Sequence, residues 1–351
     1  MLAFVDGRFG IAPEQKETEF RETFVNRKAF LKLALAGASA LSLSFSVAMA
    51  EPVKIAVANF GDHPQLNAVV DGFKAELAAA GFKEGEGAAY TIDHVNFDAT
   101  LVPQMLSKIE AQKPALILVI TTPVAQMAKN TLGKSGIPLV FAAVTDPVAA
   151  GLVPSWEAGD ENMSGASDLQ DVAATLTFAR KLLPNAKNLG IPYNPGEAND
   201  VALIDIMKAE APKQGFTVVE VGVDNVNDIP QRISSLAGKA DVIYVPGSNL
   251  IQPAIASVAS AALEAKIPVV NTDGGPVSQG IVTSSFAMSY EKVGHNAGKI
   301  AARMLKGEKA SAIAPSKPAY EDHAPLISKK AAAAIGMEIP ESFKDCGCIV
   351  E

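Results

Sequence analysis

Short apolar runs rich in β-branched residues alternate with stretches of helical period along most of this chain, and few architectures accommodate that rhythm. Val53 to Val57 is such a run, and after the loop Asn59 to Pro64 come Leu66, Val69, Val70, Phe73 and Leu77 at helical spacing, ended by Gly81. Tyr90–Val95, Leu116–Ile120 and Leu139–Val144 read as further strands, with helices over Leu101–Ala111 and Ala125–Leu132. The rhythm then restarts. Leu189–Tyr193, Thr217–Val221, Val242–Val245 and Val269–Val270 read as strands, separated by helical stretches such as Ala198–Gln214 and Ile251–Ala265. Apolar strands alternating with helices indicate parallel sheets covered on both faces. Two series of about four strands each predict an α/β protein of two doubly wound lobes, which suits a chain of 351 residues. A last strand and helix, Val282–Phe286 and Tyr290–Leu305, close the pattern.

Composition removes several classes of function. Apolar residues make up 48% and charged residues 19%, so a core forms and general disorder is excluded. A net charge of -8 supplies no electrostatic footprint for nucleic acid. The two cysteines, Cys346 and Cys348, exclude a disulfide scaffold and a four-cysteine zinc site. They could pair, ligate a metal with outside help or do nothing, and an inert tail is expected over 346–351.

Enzyme signatures fail one by one. Gly133-Lys134-Ser135 has Ala128 where a phosphate loop needs its first glycine, and Gly85 and Gly87 precede a strand instead of following one. There is no Gly-x-Ser-x-Gly elbow and no His-Glu-x-x-His helix. No cofactor and no metal site are expected.

The N-terminus carries an export pattern. Arg27 and Lys28 precede the weakly apolar run Leu33–Val47, which ends in Ala48-Met49-Ala50. A basic segment, a short apolar segment and small residues before the cut describe a cleavable signal peptide, with cleavage expected after Ala50. The run is too short and too rich in Ser, Ala and Gly for a span of roughly 20 apolar residues. Asn26 to Lys32 resembles a twin-arginine motif with Lys28 in place of the second arginine, so general secretion stays open as the route. Residues 1–24 make the leader unusually long, which suggests a true start at Val25. No cysteine lies near the cut for lipid anchoring, and the expected location is a periplasm.

In an open parallel sheet, ligands sit beyond the carboxyl ends of the strands, so the loops there are the candidate site. In the first series these are Asn59-Phe60-Gly61-Asp62-His63-Pro64, Thr121-Thr122-Pro123-Val124-Ala125-Gln126 and Thr145-Asp146-Pro147. In the second they are Tyr193-Asn194-Pro195-Gly196-Glu197-Ala198-Asn199, Gly247-Ser248-Asn249 and Thr272-Asp273-Gly274. Thr122 followed by Pro123 predicts a capped helix start, whose free N–H groups and partial positive charge suit a carboxylate. Thr122 could equally do no more than cap its own helix. Asp146, Glu197 and Asp273 are acceptors for an ammonium group, or else solvated turn residues. His63 has no second histidine at metal spacing and reads as a pocket wall.

These loops resemble those of the type I periplasmic solute-binding proteins of ABC transporters, in the tryptophan- and phenylalanine-binding branch. The resemblance rests on His63-Pro64, Asp71-Gly72-Phe73-Lys74 through Ala80-Gly81-Phe82, Thr122 to Gln126, Thr145-Asp146-Pro147-Val148, Gly151-Leu152-Val153, Tyr193 to Asn199 and the segment Gly298-Lys299 to Glu308. It spans roughly residues 53–340. It implies two lobes joined by three crossovers, with hinge closure over a ligand in the cleft. Lobe one would be 51–165 continued by 283–313, and lobe two 166–282 continued by 314–345. Gly247-Ser248-Asn249 lacks an aspartate that such proteins often carry there, and Asn271-Thr272-Asp273-Gly274-Gly275 is unusually rich in glycine.

What the resemblance implies is a non-enzymatic, monomeric receptor that captures a small zwitterion, an amino acid, with aromatic ones among the candidates. It would pass this ligand to an ABC permease with its cytoplasmic ATPase. Thr122, Val124 and Gln126 would hold the carboxylate, and Asp146, Glu197 or Asp273 the ammonium. Phe60, His63 and Tyr193 would wall the side chain, with Thr145, Asn194, Asn199, Ser248 and Asn249 completing the lining. The alternative is a sensory protein that hands ligand-driven closure to a membrane kinase or chemoreceptor.

Overall fold

A computed structural model describes residues 51–351 of the chain. The export features (Arg27-Lys28, Leu33–Val47, the cut after Ala50 and the start at Val25) lie outside the described residues. The first sheet holds β1 (Val53–Asn59), β2 (Ala88–His94), β3 (Leu116–Ile120), β4 (Leu139–Val144) and β5 (Met163–Ser167), in the order β2-β1-β3-β4-β5 with every pairing parallel. Every residue of β3 and β4 is buried, as a parallel strand covered on both faces requires. The edge strand β2 is instead largely turned toward solvent.

Helices α1 (Pro64–Ala79), α2 (Val102–Ala111) and α3 (Thr122–Leu132) follow β1, β2 and β3. One face of the sheet packs Ile55, Val57, Leu118 and Ile120 against Phe73 and Leu77 of α1. The other packs Ile117, Val119 and Phe141 against Leu106, Ile109 and Ala128.

The second half supplies α4 (Val172–Leu182), β6 (Asn188–Tyr193), α5 (Ala198–Glu210), β7 (Thr217–Gly222), α6 (Ile229–Ser234), β8 (Val242–Val245), α7 (Ile255–Glu264), β9 (Val269–Asn271), α8 (Gly275–Ser278) and β10 (Ser284–Met288). Then come α9 (Tyr290–Leu305), β11 (His323–Ser328), α10 (Lys329–Ile335) and β12 (Ile349–Val350). The seven-stranded second sheet runs β12-β11-β10-β9-β8-β6-β7, and only the β10–β11 pairing is antiparallel.

Three expectations need correcting. The strand read at Val282–Phe286 does not return to the first lobe: as β10 it pairs with β9 in the second sheet, Ser284 opposite Val270. Only the helix after it, α9, crosses over, and the turn is made at Ser289, whose side chain accepts from Lys292 N–H as the N-cap. There α9 lies tightly on α1. A Cβ added at Gly72 would stand 2.1 Å from the carbonyl of Glu291, and one at Gly294 would stand 2.1 Å from that of Val69.

The second correction is at β5, which is not among the strands expected above because Met163-Ser-Gly-Ala-Ser has no apolar run. Its glycine is what lets it pair, since a Cβ at Gly165 would sit 2.0 Å from the Phe141 carbonyl. The third is the tail: Cys346 and Cys348 form a disulfide, and β12 pairs with β11 through Ile327–Ile349 and Ser328–Val350.

The crossovers between the sheets run side by side. The Asp171 N–H donates to His323 Nε2 at 3.2 Å, and the Ser289 N–H donates to the Asp322 carbonyl at 3.2 Å. Lys292 Nζ pairs with Asp322 Oδ1 at 2.8 Å. His323 is therefore buried and bonded between two crossovers. Among the described residues no helix is long and apolar enough to cross a membrane.

Candidate functional site

The carboxyl ends of the two sheets face each other across a cleft with about 430 Å³ of unfilled space, part of it open to solvent. The first lobe lines it with His63, Gln65 and Leu66 at the start of α1, Phe97 after β2, Thr121 and Thr122 at the start of α3, and Ala143 and Thr145 at the end of β4. The second lobe adds Asn199 from α5, then Gly247, Ser248, Asn249, Gln252 and Pro253 after β8. Asp168 and Tyr290 enter from the crossovers.

Backbone strain gathers here. Phe97, Thr121 and Ala143 line the cleft at φ of 65°, 82° and 53°, a region that L side chains avoid. Strain of that kind costs on the order of 1–3 kcal/mol per residue and persists where the surroundings enforce it, commonly at binding sites. At Ala143 the β4–β5 register slips by a residue, which turns the end of β4 toward the cleft.

The helix start differs from expectation by one residue. Thr121, not Thr122, is the N-cap of α3, and at φ 82°, ψ 156° its side chain makes no capping bond. The Thr121 Oγ1 atom is buried without a partner. With Pro123 carrying no N–H, the Thr122 and Val124 N–H groups are the free donors of the first turn. The Val124 side chain is fully buried in the first lobe, so only its backbone could meet a ligand.

Asp168 is the carboxylate of the cleft. It is buried, its Oδ2 accepts from the Tyr290 hydroxyl at 2.8 Å, and its Oδ1 accepts from Thr145 Oγ1 at 3.1 Å. Burial pushes its pKa up, against the pull of those two hydroxyls. Burial, then the Asp168 charge, raises the Tyr290 phenol well above its ordinary value. Among the described residues lining the cleft there is no lysine or arginine to balance this carboxylate.

The acidic residues singled out from the sequence have other work. Glu197 Oε2 accepts from Asn249 N–H at 2.9 Å, Asn249 Nδ2 at 2.8 Å and Asn199 Nδ2 at 3.2 Å. Its Oε1 accepts from Leu250 N–H at 3.0 Å and Asn194 Nδ2 at 3.1 Å. Glu197 and Asn194 thus tie the loop after β6 to the loop after β8, beneath the cleft floor. Asp200 beside them is raised well above its usual range by burial and then by the Glu197 charge. Asp146 accepts from the Val148 and Ala149 N–H groups, and Asp273 accepts from that of Gly275. Both close turns as Asx residues do. Burial raises Asp273 as well, partly offset by the Gly275 N–H and, less, by the neighbouring His63.

Of the expected wall residues, His63 lines the cleft; its Nδ1 accepts from Gln65 N–H at 3.3 Å, which leaves Nε2 as the protonated nitrogen. Burial lowers its pKa, with Asp273 and Asp62 opposing. Phe60 is buried behind Phe97, edge to face at 5.6 Å, so Phe97 is the wall. Gly61 makes room for that ring, since a Cβ there would come within 2.3 Å of it. Tyr193 packs on the second lobe's core, and Gln126 donates to the Ala150 carbonyl beside an outer groove; neither lines the cleft.

Thr122, Thr145, Asn199, Ser248 and Asn249 reach the lining as the strand-end rule suggests. Phe97, Asp168, Gln252 and Tyr290 escape sequence reasoning. Asp168 follows a strand with no apolar run, and Tyr290 opens a helix far along the chain, where the Ser289 cap marks the helix start alone. Among the described residues no cluster of three or more His, Cys, Asp or Glu side chains is placed to hold a metal ion.

Comparison with known proteins gives a consistent picture. The family model described as ABC transporter substrate binding protein matches residues 54–346. A tyrosine-binding protein of Clostridioides difficile (strain R20291) is 37% identical over 259 residues, 74% of each chain. The structure of a Streptococcus pneumoniae ABC domain in complex with L-Trp superposes with a TM-score of 0.78 at 29% identity, covering 85% of this chain and 100% of that one. A ligand-free, open substrate-binding protein from Clostridium difficile gives 0.66 at 36% identity, covering 85% and 99%. The overall superposition is thus better with the ligand complex than with the open protein, although sequence identity is higher with the latter.

Proposed function

The chain belongs to the family of ABC transporter substrate-binding proteins, and on that premise we propose that it captures an aromatic L-amino acid, tyrosine or tryptophan, between its lobes and delivers it to a membrane permease. The family is one of binding proteins, not enzymes. The observation that carries the choice of ligand is Asp168: a buried carboxylate in a cleft without a lysine or arginine among its described lining residues. Such a group is costly unless a cation completes it, and an ammonium is the cation a small zwitterion brings.

In this reading the ammonium pairs with Asp168 while Tyr290 and Thr145 hold its carboxylate in place through the bonds at 2.8 and 3.1 Å. The ligand carboxylate meets the Thr122 and Val124 N–H groups, where the helix dipole favours negative charge. Phe97 and Leu66 supply apolar wall for the ring. The names of the relatives, tyrosine-binding and L-Trp-bound, support an aromatic ligand. The export pattern ahead of Glu51 supports a periplasmic location.

Refolded protein, free of carried-over ligand, would be heated with a panel of amino acids, polyols and sugars. Binding to the native state alone adds about 2.7 kcal/mol at a hundredfold excess over Kd. A selective rise in Tm with L-tyrosine or L-tryptophan is expected. A rise with a polyol and none with any amino acid would overturn the reading.

A further inference from the structure

Gln252 follows β8, and short hydrogen bonds orient its side chain on the cleft wall. Its two Nε2 hydrogens are shared among three acceptors, the Pro246 carbonyl at 2.8 Å, Asn271 Oδ1 at 2.7 Å and Thr272 Oγ1 at 3.0 Å. A backbone carbonyl can only accept, so the Pro246 bond fixes which end of the amide is nitrogen. The Asn271 bond fixes it again, because Asn271 Nδ2 is itself committed to the Asp273 carbonyl at 3.1 Å, leaving Oδ1 as the acceptor. The Gln252 backbone N–H is held too, by the Ser248 carbonyl at 3.0 Å.

This arrangement leaves Gln252 Oε1 buried with no hydrogen-bond partner, on a residue that is 6% exposed and lines the cleft. An amide locked by all of its donors, with its acceptor unused, is an unfilled valence; such orphans in native structures call for an explanation. The cleft also has apolar lining, from Pro253, Leu66 and Phe97. The ammonium already has a charged partner in Asp168, which reaches the cleft from a crossover and not from this loop.

We infer that Gln252 is a specificity-determining residue: its Oε1 accepts a hydrogen bond from a donor on the ligand's aromatic ring, the phenol O–H of tyrosine or the indole N–H of tryptophan, and so selects these over phenylalanine. The inference rests on the aromatic amino-acid reading above. A ligand with a bare ring would bury Oε1 unpaired, and a site built to bond a substrate donor discriminates far more strongly against its absence than an apolar pocket does.

Titration calorimetry with L-tyrosine, 4-amino-L-phenylalanine, 4-fluoro-L-phenylalanine and L-phenylalanine tests this on the unaltered protein. The two donor-bearing ligands should bind about tenfold or more tighter than the two without a donor. In Gln252→Met the tyrosine-to-phenylalanine ratio should fall to within about twofold, through loss of tyrosine affinity. A ratio near one in the unaltered protein overturns the inference while leaving the amino-acid reading intact. An equal loss of both ligands in Gln252→Met overturns it as well, since a loop-holding or ammonium-binding residue would act that way. If none of the four binds, the aromatic reading falls and this inference falls with it.

Discussion

Replacing Asp168 with Asn keeps the shape of the side chain and removes its charge, and the two halves of the functional account then predict effects of opposite sign. In the liganded protein the carboxylate meets an ammonium in a buried cleft. Hydrogen bonds to a charged group contribute about 1.5–3 kcal/mol, and truncating one partner of a buried charge pair costs about 2–5 kcal/mol. The overlap of about 2–3 kcal/mol corresponds to binding of L-tyrosine weakened by about 30- to 150-fold. In the free protein the same carboxylate has two hydroxyl donors and no cation, and burial raises its pKa. The folded state therefore holds the Asp168 proton more tightly than the unfolded chain does. That contribution to stability is complete below the unfolded pKa of about 3.9 and is lost as pH rises through the elevated folded value. At neutral pH Asp168→Asn should thus leave the free protein as stable as before, or more so. Calorimetric titration and urea unfolding of both proteins check the pair of effects. The des-amino analogue 3-(4-hydroxyphenyl)propionate is the control, and its affinity should not fall in the variant. Unchanged tyrosine affinity in Asp168→Asn, or equal losses for tyrosine and the des-amino analogue, would refute the pairing of Asp168 with an ammonium.

Other positions extend the test. Tyrosine affinity, taken as the difference between unaltered protein and Asp168→Asn so that the titrations of Asp200 and Asp273 cancel, should decline with falling pH at a higher pH than an ordinary aspartate would set. Gly294→Ala would drive a Cβ to 2.1 Å from the Val69 carbonyl and part α9 from α1; urea unfolding should show a loss of about 3 kcal/mol or more, as overpacking against backbone leaves nothing to yield. Glu197→Gln replaces an acceptor of five donated bonds by a group with donors of its own; thermal unfolding should show about 1–3 kcal/mol lost, and tyrosine and tryptophan affinity should fall by the same factor. Joint replacement of Cys346 and Cys348 by Ser opens a loop of three residues; that should cost only about 1.5 kcal/mol by loop-closure entropy and leave calorimetric affinity unchanged.

How legible the molecule is depends on which force sets each element. Leu116–Ile120 and Leu139–Val144 are unmistakable in the sequence, because burial on both faces of a sheet dictates an unbroken apolar run. Met163–Ser167 is a strand because Gly165 admits the Phe141 carbonyl, a contact that no local pattern announces. The place of β10 is hidden for a related reason. A helix expected on the first lobe suggests that its preceding strand belongs there too, whereas the chain crosses over between them at Ser289. In the site, His63, Thr122, Thr145, Asn199, Ser248 and Asn249 come from loops at strand ends and follow from topology. Asp168 and Tyr290 meet across 122 residues of chain, a tertiary pairing invisible to spacing. The loop carboxylates Asp146, Glu197 and Asp273 draw attention because they sit at strand ends; both Glu197 oxygens and the Oδ1 atoms of Asp146 and Asp273 prove to be engaged by nearby backbone and amide donors.

The most direct test is a crystal structure of the refolded protein with L-tyrosine. The ligand should lie between the lobes, with its ammonium at hydrogen-bond distance from Asp168, its carboxylate on the Thr122 and Val124 N–H groups and its hydroxyl on Gln252 Oε1. A ligand seated outside the cleft, or in the cleft with its carboxylate turned toward Asp168, would contradict this placement.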